Sequence, residues 1–65
     1  MNFDIIENKR VNQRFTVKAL CEEVGIDRTT YYKYKRNPGI LTIGVLERFA
    51  KALSMTKKEL QDTIK

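Results

Sequence analysis

The stretch TVKALCEEVGIDRTTYYKYKR, residues 16–36, decides the fold. Val17, Leu20, Cys21 and Val24 recur at helical spacing, Gly25, Ile26 and Asp27 interrupt, and Tyr31 and Tyr34 resume the rhythm three residues apart. Gly25 is able to take the positive φ that ends a helix, and Asp27 is a helix-capping residue type. Two helices joined by so short a link cross steeply and do not run back antiparallel. Thr29-Thr30-Tyr31-Tyr32 are sheet-favouring residues, but a strand there would be isolated, so the helical reading stands.

Outward from this stretch one pattern recurs five times: an apolar residue, a capping residue, and another apolar residue four positions after the cap. The instances are Met1-Asn2 with Ile6, Phe15-Thr16 with Leu20, Ile26-Asp27 with Tyr31, Leu41-Thr42 with Leu46, and Met55-Thr56 with Leu60. Each marks a helix start, where the cap satisfies a free backbone N–H and the apolar pair staples the first turn. Glu59, three after Thr56, completes a capping box. Gly25 and Asn37-Pro38-Gly39 supply the stops. In the fourth segment Ile43, Leu46, Phe49, Ala50 and Leu53 keep the apolar rhythm. The expectation is five short helices, at 2–13, 17–24, 28–36, 43–53 and 57–64, forming one all-α domain over residues 1–65.

Sixty-five residues hold a single thin core, since a chain this short buries roughly 60% of its unfolded surface. The formal charge is +5 and the hydrophobic fraction 42%, which describes a basic globule and not a disordered tail. There is no histidine, and the lone Cys21 makes neither an internal disulfide nor a zinc cluster, so no metal, cofactor, small-molecule ligand or enzyme chemistry is implied. Glu22-Glu23 point about 100° apart on a helix and are surface charges, not a catalytic pair. An acidic start and a longest apolar stretch of only 40–46 argue against a signal peptide or membrane span and for a reducing cytoplasm.

Residues 16–36, with NPGILTIGVLERFAKALSMTKKEL after them, resemble the Cro and phage-repressor type of helix-turn-helix domain, the Xre-like group with a lambda-repressor-like fold. Cys21 and Val24 hold the small and apolar places of the motif's first helix, Ile26 the apolar slot after the glycine, and Tyr31 and Tyr34 the inward places of the recognition helix. The resemblance covers about three-quarters of the chain. It implies sequence-specific binding of double-stranded DNA by a small transcriptional regulator, a Cro-like repressor of phage or mobile-element origin that acts as a homodimer on DNA. Three positions depart from the pattern. Val17 replaces a frequent glutamine and offers no polar side chain. Lys35 stands where the family often has a glutamate to pair with an arginine such as Arg10. Tyrosine fills both inward places, so each phenol needs a partner or solvent.

With Tyr31 and Tyr34 inward, helical geometry turns Arg28, Thr29, Tyr32, Lys33 and Arg36 outward. By the resemblance, Arg28, Thr29, Tyr32 and Lys33 read bases, with Arg28 bidentate to guanine and the Thr29 methyl against thymine. Thr16, Val17, Lys18, Arg36, Asn37 and Thr42 meet the DNA backbone, helped by the free N–H groups at the starts of the second and fourth helices. Arg28, Lys33, Lys35 and Arg36 are the charged residues of 28–46, and Lys9, Arg10, Arg14 and Lys18 those of 8–21, so positive charge is clustered about the motif. Met55, Leu60 and Ile64 form a stripe on the fifth helix that serves either as dimer surface or to close the core. The alternative function is an antitoxin-like or anti-regulator protein-interaction module on the same fold.

Overall fold

The computed structural model describes residues 1–64. Among them the chain forms α1 (Phe3–Asn12), α2 (Val17–Val24), α3 (Arg28–Arg36), a 3-10 turn (Pro38–Ile40), α4 (Ile43–Leu53) and α5 (Lys57–Ile64), with no strand. All five expected caps are present. Asn2, Thr16, Asp27 and Thr42 accept from the N–H groups of Asp4, Ala19, Thr30 and Val45 respectively. At α5 the capping box closes in both directions: the Glu59 N–H donates to Thr56 Oγ1 at 3.1 Å, and the Thr56 N–H donates to Glu59 Oε1 at 2.9 Å. The break after Arg36 is itself structured, as Pro38 opens the 3-10 turn that packs against α3.

The core is built from Phe3, Ile6, Leu20, Cys21, Val24, Tyr31, Leu41, Leu46, Phe49 and Leu53. Every α-helix before α5 contributes to it, and α4 packs on both α1 and α2. Tyr31 and Phe49 meet Phe3 edge-on, with ring centroids 5.2 and 5.8 Å away, so the aromatic centre joins α1, α3 and α4. Edge-to-face packing of this kind adds to simple burial because ring edges and faces carry opposite partial charge. Tyr34 is half-buried and also stacks edge-on against Phe49 at 6.4 Å.

Two expectations need correction. Ile43 continues the apolar rhythm of α4 in sequence, yet it is 51% exposed, because at about 100° per residue it falls at the edge of the face that Leu46, Phe49 and Leu53 bury. The apolar stripe of α5 is divided: Met55 and Leu60 pack half-buried against the core, whereas Ile64 is 46% exposed. Thr63 is the fully buried side chain of α5, its hydroxyl donating to the Glu59 carbonyl at 2.8 Å. The end of α5 is tied to the chain start by the Asn2 N–H, which donates to the Thr63 carbonyl at 2.6 Å.

Candidate nucleic-acid interface

Gly25 ends α2 in the left-handed conformation, φ 84°, and both it and Ile26 donate N–H groups to the Cys21 carbonyl, at 2.8 and 3.0 Å. This tight end turns the chain so that α3 starts three residues later and packs on α2. The Asp27 carboxylate, capping α3, accepts from the Thr30 N–H at 2.7 Å, and that backbone bond, with a contribution from the Thr30 hydroxyl, holds it below the usual carboxylate range. The cap is thus charged at neutral pH and favoured by the helix dipole.

Tyr31 is fully buried, which turns its side of α3 toward the core. Arg28, Thr29, Tyr32, Lys33 and Arg36 are all exposed on the opposite side, and Asn37 caps the helix end, also exposed. Tyr32 is 47% exposed, with its ring edge-on to Tyr31 at 5.8 Å. Arg28 sits in the first turn, where the helix dipole disfavours a cation. Thr16, Lys18 and Thr42 are exposed at or beside the starts of α2 and α4. Val17 differs: it is half-buried and packs against the core.

The basic residues of 8–21 separate into two kinds. Lys9 pairs with Glu59 across α1 and α5 at 3.0 Å, and Arg10 pairs with Glu7 within α1, so neither cation is unpaired. Among the described residues, Arg14, Lys18, Arg28, Lys33, Lys35 and Arg36 form no ion pair. These six cations lie on the motif and on the turn leading into it, while Arg48 and Lys51 on α4 and Lys57 and Lys58 on α5 are exposed as well.

Glu7 is the residue that sequence reasoning missed. The pattern expected Arg10 to lack a partner because Lys35 occupies the glutamate place, but the structure supplies the carboxylate from α1 itself. Arg10 Nε donates to Glu7 Oε1 at 3.1 Å, its Nη2 donates to the same oxygen, and its Nη1 donates to the Phe15 carbonyl at 2.6 Å. Glu7 Oε2 accepts from the Tyr31 hydroxyl, which answers the need of that buried phenol. Burial pushes the Glu7 carboxyl up, but the hydrogen bonds from Arg10 and Tyr31 and the charges of Arg10 and Lys35 outweigh it and hold the group below its usual range. The spacing of Glu7 and Arg10, three apart on one helix, was the available signal.

An open cleft between α2 and α4, lined by Phe15, Glu23, Val24, Arg48, Lys51 and Ala52, shares no residue with α3. Cys21 is buried, and burial first, then the Asp27 charge, pushes its thiol up, which keeps it protonated and unreactive. Among the described residues no helix is long and apolar enough to cross a membrane. The model of the family described as Cro/C1-type HTH DNA-binding domain matches residues 6–65. No curated protein matches the chain, and no solved structure does.

Proposed function

This chain belongs to the Cro/C1-type HTH DNA-binding domain family, and from that membership we propose that it is a sequence-specific regulator of transcription, a Cro-like repressor that binds double-stranded DNA as a homodimer. The observation that carries the reading is the outward face of α3: Arg28, Thr29, Tyr32, Lys33 and Arg36 are exposed together, and 28–46 contains no acidic residue. Arg28, Thr29, Tyr32 and Lys33 read base edges in the major groove, while Arg36, Asn37, Lys18 and the capped starts of α2 and α4 at Thr16 and Thr42 take phosphates. Val17 contributes its backbone N–H alone. A cation in the first turn of α3 is locally unfavourable and is explained by a base contact.

One recognition helix reads only a few base pairs, so useful specificity calls for two copies on half-sites about one helical turn apart. Ile64, exposed at the end of α5, is the apolar residue of that helix free for a partner copy, whereas Met55 and Leu60 chiefly close the core. The reading places the protein in the cytoplasm, as one domain with no catalytic role. Selection from a random duplex library at near-physiological salt tests it. A two-fold symmetric enriched motif is the expected result. Retention without enrichment reduces the function to electrostatic binding, and no retention overturns it in favour of a protein-interaction role.

A further inference from the structure

The hydrogen bonds around Glu7 form one continuous path between the two parts of the interface. Tyr31, on α3, donates to Glu7 Oε2; Glu7 Oε1 accepts from Arg10; Arg10 Nη1 donates at 2.6 Å to the carbonyl of Phe15, the residue directly before the cap of α2. The reading helix and the phosphate-facing start of α2 are thus both held by a single carboxylate on α1. Tyr31 is fully buried, among the rings of Phe3, Phe49 and Tyr32, so its hydroxyl has a fixed direction. Tyr32 is the next residue, packs its ring on Tyr31, and lies on the outward face. A shift of the Tyr31 ring consequently reaches the reading surface through one contact.

We propose that Glu7 is a positioning residue for DNA recognition, setting the placement of the α3 reading face relative to the start of α2 through Tyr31 and Arg10. The proposal rests on the DNA-binding reading above. Glu7 touches no DNA; it acts by excluding the other rotations of α3 that hydrophobic contact alone permits, since apolar packing is non-directional and a charge-assisted hydrogen bond is not. Misplacing α3 leaves the positive charge of the interface intact. Affinity for any duplex should then survive while discrimination between duplexes falls.

Tyr31→Phe removes a single oxygen and keeps the aromatic packing, and Glu7→Gln keeps an acceptor for Tyr31 while releasing Arg10. For both variants, affinity is measured for the selected site and for a random duplex at one salt concentration, together with backbone amide exchange in the free protein. The expected result is a loss on the order of tenfold in the selected-to-random ratio with random-duplex affinity unchanged, and faster exchange confined to 28–36 for Tyr31→Phe and to the start of α2 for Glu7→Gln. An unchanged ratio, or an equal loss on both duplexes in a folded variant, overturns the proposal. If the wild-type chain enriches no site, the DNA-binding reading fails separately, and exchange then decides the matter: loosening confined to 28–36 in Tyr31→Phe and to the start of α2 in Glu7→Gln supports the positioning role, and uniform or absent change overturns it. A variant that does not fold is replaced by the other.

Discussion

Arg28 stands in the first turn of α3, exposed, without an ion pair among the described residues, next to a cap that is held in its charged form. At the residue scale this isolates its contribution, because removing the side chain disturbs no packing. Arg28→Ala is expected to leave the melting temperature nearly unchanged and to cost about 1–3 kcal/mol on the selected site, with relaxed preference at one base pair. Competition binding against single-base variants of the site checks this. A loss of equal size on every duplex would mean that Arg28 contacts phosphate and reads nothing. The exposed position and the outward direction were legible from the spacing of Tyr31 and Tyr34. The partner of Tyr31 was not, because Glu7 lies 24 residues away in the chain.

Helix ends show the same division at the scale of elements. Left-handed residues follow three of the helices: Arg14 near the end of α1 with φ 60°, Gly25 after α2 with φ 84°, and Ser54 after α4 with φ 53°. Only Gly25 announces itself in sequence, since glycine alone takes this conformation freely. Ser54 is exposed, and its own N–H and that of Met55 bond back to the carbonyls of Lys51 and Ala50, at 3.4 and 2.9 Å, so the backbone stays left-handed at the expense of the side chain. Ser54→Gly is therefore expected to stabilise the fold by about 1 kcal/mol, and Gly25→Ala to destabilise it by a similar amount. A Cβ at Gly25 would meet nothing within 4 Å beyond its own chain neighbours, which makes the second cost one of backbone conformation and not of collision. Urea denaturation of the two variants should move the midpoint in opposite directions with an unchanged slope.

For the whole molecule the decisive quantity is how little core there is. A domain this small has about 3–5 kcal/mol of stability, and Phe49→Ala should cost about 3–5 kcal/mol, because Phe49 is fully buried against Phe3, Tyr31 and Tyr34. The two magnitudes match, so that variant should show an unfolded circular-dichroism spectrum at 25 °C. Stability should also depend on pH at both extremes. The Glu7 carboxyl lies below its ordinary 4.5, so its contribution is complete above that value and is lost as pH falls through the depressed one; Asp27 and Glu59 act in the same direction. Tyr31 is raised above its ordinary 10.0 by burial and by Glu7, so its contribution is complete below 10.0 and declines as pH rises beyond it. Urea midpoints followed into acid should fall less steeply for Glu7→Gln than for the wild-type chain.

The sequence by itself determined the helices, their caps, the turn at Gly25 and the outward face of α3. Those features depend on hydrogen bonds reaching two to four residues along the chain and on the helical period, both of which are written locally. The tertiary structure alone decided that Glu7 holds Tyr31, that Lys9 pairs with Glu59 instead of joining the basic surface, and that Ile43 and Ile64 face solvent. Each of these is set by how helices distant in sequence pack together. The residues 7 and 31, or 9 and 59, carry no local mark of the partner that folding brings within a hydrogen bond's reach.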